Sequence, residues 1–535
     1  MRLILWSFCV LCLLACSTST VAVDESSSSK SSSSVKSVLE GSSSSHPVSS
    51  SSSSALSSSS ATGSSQSENS SSSEDQNLSE CVGTPGVPWD GTTAKKFACG
   101  SGTKFSPYII LTAEQLALLS FATGAQDEDY TGKYFKLGAD IVLSDKTLID
   151  ENGALIADSS NLEKWTPIGN SKVVFTGYFD GDGHTVSGMF INTTSTHNGL
   201  FGYNRGTVEN VTVTNSWVKG GDYTAGVIGY SDGIVSNVAN EASVVGSGDC
   251  TGGIVGKTNY ASISDRYSSN VKMIRNQGCI SGKNRVGGII GCMSYSALSD
   301  AVNEGSVTGA QIVGGVAGYF LGLDKIIVDN IQNYGNVIGT SDYVGGIAGL
   351  GATYARTSCY SDIYHLSGTL KSLYNEGKII GDNYVGGLFG QACGTSLTNG
   401  ANRGSVVGEN TVGGLFGNLG YSTTSNLYNR GEVAGSLRVG GIIGYNQEGV
   451  TSSAYTTAKV DGDSLVGIMI GENYNTTMAD YYYISIEGFE PFGVNNGGGS
   501  ATAKTSEEMK SSDFAELLGD AWSINLSVND GYPIW

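Results

Sequence analysis

The sequence predicts an all-β fold: a parallel β-solenoid of about ten 27-residue coils with short helical end caps, preceded by a disordered serine-rich linker. Three observations predict it. Glycine accounts for 76 of 535 residues and proline for only 7, so the chain needs tight turns and close approaches without kinks. Gly-apolar-apolar-Gly blocks begin at residues 199, 226, 253, 288, 315, 346, 387, 414 and 441, with a stretched copy, GIMIG, at 467; most intervals are 27 residues and three are longer. A second block keeps step with the first, as NQGCISG (276), NEGSVTG (303), NYGNVIG (333), NEGKIIG (375), NRGSVVG (402) and NRGEVAG (429). The interval from this Asn to the next Gly-Gly scarcely varies, so every insertion falls between Gly-x-x-Gly and the following Asn. One side of the unit is fixed and one loop is free.

Collagen is excluded because glycine does not recur at every third position, and general disorder fits poorly with 39% hydrophobic residues and 27 tyrosines. The formal net charge of −20 argues against nucleic acid as a partner. Only four histidines occur, His46, His184, His197 and His365, and none opens an H-E-x-x-H motif. No cofactor or metal is expected.

The chain opens with MRLILWSFCVLCLLAC, one early Arg followed by an apolar run too short to span a bilayer, which reads as an export signal. Its end, Leu13-Leu14-Ala15-Cys16, resembles the bacterial lipoprotein box. That resemblance implies a signal peptide over 1–15, lipid on Cys16 and, with Ser17 next, sorting to the outer membrane. Residues 16–80 are serine runs with almost nothing to bury, a flexible tether whose reach is roughly 45 Å for ~60 residues. In an oxidising compartment Cys81 and Cys99, which bracket a short Pro/Gly stretch, are the best disulfide pair. Cys250, Cys279, Cys292, Cys359 and Cys393 are odd in number and lack metal-site spacing, so they are expected as small buried side chains with at least one free thiol.

Residues 81–170 form the expected N-terminal capping region. Thr112 followed three residues later by Gln115 before an apolar run predicts a capped helix ending near Gly124. YFKLGADIVLS (134–144), WTPIG (165–169) and VVFTGYFDGDGHTVSGMFI (173–191) alternate as strands, the last pair joined by an Asp/Gly turn. The repeat region spans 171–480. Each unit holds three short strands: the V-x-G of NxGxVxG, the V-G-G-apolar-x-G block, and a run ending before Asn. None buries a core alone, and stacking resolves this, with equivalent strands pairing ~4.8 Å apart around a continuous apolar interior. Asn240, Asn276, Asn303, Asn333, Asn375, Asn402 and Asn429 recur at one corner and are expected to stack as an amide ladder. Residues 481–535 form a C-terminal capping region, where Thr505 and Glu508 make a second capping box; both caps are expected to cover the open ends of the stack.

FDGDGHTVSG (179–188), the repeated Gly-apolar-apolar-Gly blocks, YFKLGADIVLS with WTPIG, and the terminal NDGYPIW (529–535) together resemble bacterial surface proteins carrying GLUG motifs, over about residues 105–535. The resemblance implies a right-handed, pectin-lyase-like parallel β-helix on adhesin-like exported proteins, and it supplies no catalytic residues.

Parallel β-helices also carry lyases and glycoside hydrolases, which need paired carboxylates, or acidic calcium ligands with a basic group. Asp180, Asp182 and His184 form the local acid–His cluster, but they sit in an Asp-Gly turn and are read as structural, as are Asp461 and Asp463. No catalytic residue is assigned. The insertions carry the candidate binding aromatics Tyr260, Tyr267, Tyr319, Phe320, Tyr354, Tyr360 and Tyr364, suited to stacking on sugar rings or to a protein interface. The sequence therefore favours a non-catalytic, lipid-anchored surface protein that binds an extracellular glycan or a neighbouring or host surface protein and meets the membrane only through its anchor. A polysaccharide lyase or hydrolase, and a purely structural envelope spacer, remain as alternatives.

Overall fold

A computed structural model describes residues 81–125, 130–259, 270–322, 327–352, 359 and 369–535. It is an all-β parallel solenoid of about 13 turns with few helices. One coil serves for all: Val433–Ala434, Leu437–Gly440, Ile443–Gln447 and Val450–Thr456 follow one another, and each pairs in parallel with its counterparts in the coils before and after. Four sheets result, of ten, nine, eleven and sixteen strands.

The coil thus has four strands where three were expected. The V-G-G-apolar-x-G block divides at its Gly-Gly corner: Gly440 ends one strand and Ile443 begins the next. The stack also has more turns than the ten read from the blocks. Strands without the motif, Tyr108–Ile110 and Tyr134–Leu137 before it and Phe492–Asn496 and Ala501–Lys504 after it, extend the same sheets.

Two apolar columns fill the interior instead of one. The larger takes Leu388, Phe389, Leu415, Phe416, Ile442 and Ile443 with their equivalents; a narrower one is mostly valine, with Val385, Val412 and Val439 facing Val406 and Val433. The asparagine corner is also buried. Six of the seven amides donate from Nδ2 to Oδ1 of the next at 2.7–2.8 Å, through Asn240, Asn276, Asn303, Asn333, Asn375, Asn402 and Asn429 without a break, and Asn429 donates to the Gly441 carbonyl at 2.8 Å. The second N–H reaches a carbonyl two residues on, so both donors of every amide are satisfied.

These asparagines are not left-handed. Positive φ falls three residues earlier, at Asn237, Met273, Asp300, Asn330, Ser372, Asn399 and Asn426, each the one residue skipped by the pairing within its long strand, at the same place in every coil. Nor do the repeat glycines of the Gly-Gly corner serve φ. A Cβ on Gly414 would stand 2.0 Å from the Gly441 carbonyl oxygen and 2.2 Å from Asn429 Nδ2, so close approach is what requires glycine there.

The N-terminal helix, Ala113–Ala125, opens as expected: Gln115 N–H donates to Thr112 Oγ1 while Gln115 Oε1 accepts from Leu111 and Thr112 N–H. Its Leu116, Leu119 and Ala122 join the main core at the start of the stack. The C-terminal segment behaves differently. Thr505 and Glu508 make a capping box on the short helix Ser506–Met509, and Ser511 caps Ser512–Leu518. Instead of covering the last coil, this segment lies on the flank of the sixteen-stranded sheet, packing Phe514, Trp522 and Tyr532 on Tyr428, Tyr455 and Tyr482. The reason is that column of tyrosines, an outward apolar face needing cover. NDGYPIW docks there: Arg430 donates to Asn529 Oδ1 at 3.0 Å, pairs with Asp530 at 2.8 Å and stacks on Tyr532, and Tyr455 donates its hydroxyl proton to the Pro533 carbonyl at 2.7 Å.

Burial pushes Tyr428 up to about 12 and Tyr455 well above the ordinary tyrosine range. Their folded pKa values exceed the unfolded one, so the associated stability is complete below pH ~10 and is lost as pH rises through the folded values. Alkaline titration is expected to release the C-terminal flank, with Trp522 and Trp535 fluorescence shifting together with tyrosinate absorbance above pH ~10.

The structure pairs Cys81 with Cys99, Cys250 with Cys292, and Cys359 with Cys393. Cys279 is disulfide-bonded as well. The expectation of buried, unpaired small side chains with a free thiol is therefore corrected. Register is the reason: Asp249, beside Cys250, pairs with Asn284, and Lys257 pairs with Cys292, so residues 42 apart in sequence belong to successive coils. Reduction is expected to cost about 2–4 kcal/mol per inter-coil bridge, read as a lower melting temperature with dithiothreitol that the C250S/C292S and C359S/C393S variants reproduce without reductant.

Candidate functional site: a tyrosine face on the eleven-stranded sheet

The residue that follows each Gly-apolar-apolar-Gly block lies on the eleven-stranded sheet, and register aligns Tyr203, Tyr230, Lys257, Cys292 and Tyr319 in one column. A second column runs beside it, holding Tyr223, Cys250, Arg285, Ile312, Tyr343 and Tyr384, all at positive φ. The Cys250–Cys292 bond joins the two columns directly.

Near the N-terminal end the columns converge into one cluster. Tyr203 and Tyr230 rings are 4.6 Å apart, and Tyr223 and Tyr230 are 5.5 Å apart. His197 lies 5.1 Å from Tyr223 and stacks on Tyr203 at 5.8 Å. The Lys257 ammonium sits 5.2 Å from the Tyr223 ring and 5.6 Å from Tyr230, while Arg205 lies 5.6 Å from Tyr203. Farther along, Arg285 pairs with Asp249 at 2.7 Å and sits over Tyr319. Four rings and two cations thus come from neighbouring coils onto one face.

Asp232 lies beneath the cluster with its side chain only 5% exposed. The Tyr203 hydroxyl donates to its Oδ2 at 2.5 Å, Arg205 donates to the Tyr203 oxygen at 3.2 Å, and Asp232 Oδ1 is buried with no hydrogen-bond partner. Burial pushes the Asp232 carboxyl up, opposed by the Tyr203 hydrogen bond and Arg205. Burial, helped by the Asp232 charge, pushes Tyr203 up to about 12, so its hydroxyl stays protonated and fixed on Asp232. Desolvation pushes His197 down and Lys257 adds to it, with Asp222 opposing, which leaves a neutral ring at neutral pH. The site offers flat apolar rings, held in place from below, with cations at their edges. Such a surface suits stacking and hydrogen bonding to a polyol.

Of the residues singled out from sequence, Tyr319 stands in this column, half-buried under Arg285. Phe320 does not: it is fully buried in the main core, because adjacent strand residues point to opposite faces. Cys16, Tyr260, Tyr267, Tyr354, Tyr360 and Tyr364 lie outside the described residues. Asp180 and Asp182 hold a turn, with Asp180 Oδ1 accepting from Asp182 N–H and Asn210 Nδ2, both at 2.8 Å; Asp182 pairs with Lys136 and His184 with Asp140. Among the described residues no group of three or more His, Cys, Asp or Glu is placed to hold a metal ion, and no helix is long and apolar enough to cross a membrane. The close pair of carboxylates Asp382 and Glu409, on successive coils, holds Glu409 above its usual range through their hydrogen bond and mutual charge. Sequence reasoning searched the insertions and passed over Tyr203 and Tyr230. The available signal was the 27-residue spacing of a tyrosine directly after two consecutive blocks, GLFGY and GVIGY.

No family model matches the chain. Over 224 residues it is 33% identical to Halomucin of Haloquadratum walsbyi, a stretch covering 40% of this chain and 2% of that protein. Over 125 residues it is 34% identical to a "Putative Gly-rich membrane protein" of Evansella cellulosilytica, covering 23% of this chain and 12% of that one. The chain thus spans a small fraction of each relative's length. A solved structure from Bacteroides ovatus, titled as a "putative immunoglobulin A1 protease", aligns with 82% of this chain and 95% of its own at 17% identity, with a TM-score of 0.26.

Proposed function

We propose that this chain is a non-catalytic binding solenoid of the GLUG-motif kind, lipid-anchored through Cys16 at the outer membrane and displayed at the cell surface, whose Tyr203–Tyr230 face takes an extracellular glycan. One observation carries the reading: rings from neighbouring coils converge on one face, ordered from below by Asp232. The names of the two relatives, Halomucin and a "Putative Gly-rich membrane protein", are in keeping with an envelope location, and the serine-rich stretch supplies the stand-off.

A screen of the whole chain against a glycan array and isolated cell-wall polysaccharide is the test. The Tyr203→Ala/Tyr230→Ala double variant is expected to lose about tenfold or more in affinity, roughly 1.4 kcal/mol, at unchanged far-ultraviolet circular dichroism. Binding that survives the double variant removes the face from the account, and binding to a surface protein alone replaces the glycan as partner. The hydrolase reading draws on Asp382 and Glu409; release of reducing ends by the wild type, abolished in Glu409→Gln, would put it first.

A further inference from the structure

Where the C-terminal segment overhangs the sixteen-stranded sheet it leaves a hollow of about 280 Å³. Asn330, Gln332 and Ser372 line it from the sheet, and Tyr334, Tyr374 and Trp535 wall it. Register sets Gln332 against Tyr374 on adjacent coils, and Asn330 and Ser372, both at positive φ, are the residues that the pairing of these two strands skips.

The polar groups that line the hollow are ordered and uncharged. Tyr334 donates its hydroxyl proton to Gln332 Oε1 at 2.7 Å, Gln332 Nε2 donates to Asn330 Oδ1 at 3.2 Å, and Asn330 Nδ2 donates to Asp300 Oδ1 at 2.7 Å. The relay fixes which atom of each amide donates and which accepts. Of the nearby charges, Arg403 pairs with Glu376 at 3.1 Å, and the Tyr374 hydroxyl donates to Glu376 at 2.8 Å while accepting from Arg403 at 3.3 Å; the Asp300 carboxylate accepts from Asn330 behind the lining. Tyr374 therefore contributes its ring. Tyr334 and Tyr374 meet edge to face, 6.1 Å apart, and Trp535 stands 6.3 Å from Tyr428. The Trp535 indole N–H is buried without an acceptor, a donor that natively folded chains rarely leave unmet.

We propose that this hollow is a second binding site, separate from the Tyr203–Tyr230 face, that takes a single pyranose ring of an uncharged saccharide. Its volume is just under the ~300–1,000 Å³ of small-molecule sites, which suits one ring and not a chain. Oriented amides match vicinal hydroxyls, each of which both donates and accepts, and the aromatic walls match the apolar faces of the sugar. Charged sugars are disfavoured, because no unpaired counter-charge lines the hollow.

Saturation-transfer NMR on the whole chain tests it, with glucose, galactose, mannose and N-acetylglucosamine as probes and glucuronate and glucosamine as charged counterparts. At least one neutral sugar is expected to give a saturable signal at millimolar concentration, with a change in tryptophan fluorescence. Gln332→Leu, which breaks the relay, is expected to weaken it at least tenfold. Ser372→Asn, which narrows the hollow with a residue that tolerates this backbone, is expected to do the same, and serves if Gln332→Leu fails to fold. The measurements are made in the Tyr203→Ala/Tyr230→Ala background, where the tyrosine face contributes no signal, so this site and the face stand or fall separately. Absence of any neutral-sugar signal, equal binding of the charged sugars, or undiminished binding in both hollow variants would overturn the proposal.

Discussion

Gly414→Ala is expected to unfold the coils around it, at a cost of about 4 kcal/mol or more, the range reserved for substitutions with no room to relax. A single methyl would stand 2.0 Å from the Gly441 carbonyl oxygen and 2.2 Å from Asn429 Nδ2. The usual escape is a shift of backbone. Here the backbone is held on both sides by parallel strands whose spacing is fixed at ~4.8 Å, so movement at Gly414 breaks hydrogen bonds in both neighbouring coils. Because stability in a stacked repeat is a sum of coil and interface contributions, the damage need not spread to the whole rod. Calorimetry is expected to show the wild-type transition replaced by a lower one with a smaller enthalpy, and hydrogen exchange to place the early opening near residues 385–445. Gly132→Ala is the control, since a Cβ there meets nothing within 4 Å although its φ of +67° is left-handed; it should cost about 1 kcal/mol. Equal melting of the two variants would mean that close approach is not what the repeat glycines provide.

Asn402→Ala is expected to cost about 3–5 kcal/mol. Asn402 is fully buried, accepts from Asn375 and from Gly404 N–H, and donates to Asn429 and to the Gly404 carbonyl. Truncation strands the Asn375 N–H and the Gly404 groups away from water and leaves a cavity the size of an amide. The loss should appear as a lower melting temperature with sugar binding unaltered at the temperature of assay. Asn402→Thr is the informative partner, because Thr456 already occupies the equivalent position in the next-but-one coil, where it donates to the Asn429 carbonyl and accepts from Ala458 N–H. Threonine at 402 should recover about half of the loss. If alanine lowers binding and leaves melting unchanged, the corner is a ligand site and not a ladder.

What could be read from the residues followed from what the 27-residue period fixes. The ladder was legible because one asparagine recurs in register, and the unit length guarantees that recurrence becomes contact. The fourth strand was not legible: a Gly-Gly corner inside V-G-G-apolar-x-G looks, along the chain, like the middle of a strand. Disulfide partners were hidden for a related reason, since Cys250 and Cys292 become neighbours only once the intervening insertion, with its own length, has been subtracted. Phe320 was misplaced by a single residue, the smallest slip that exchanges outside for inside. The tyrosine face escaped because variable loops drew the search for binding residues, whereas Tyr203 and Tyr230 belong to the constant side of the unit. The flank position of the C-terminal segment needed knowledge that Tyr428, Tyr455 and Tyr482 share one outward column.

The ladder has a direction as well as a strength. Six amides donate the same way, from the lower-numbered asparagine to the higher, and Asn429 donates onward to the Gly441 carbonyl, so seven side-chain dipoles add head to tail along the axis. Like the peptide units of a helix, such a row behaves as partial charges at its two ends, negative near Asn240 and positive near Asn429, and each polarised amide strengthens the next. The rod is therefore electrically polar down its interior, and a coil added at one end meets a different field from a coil added at the other.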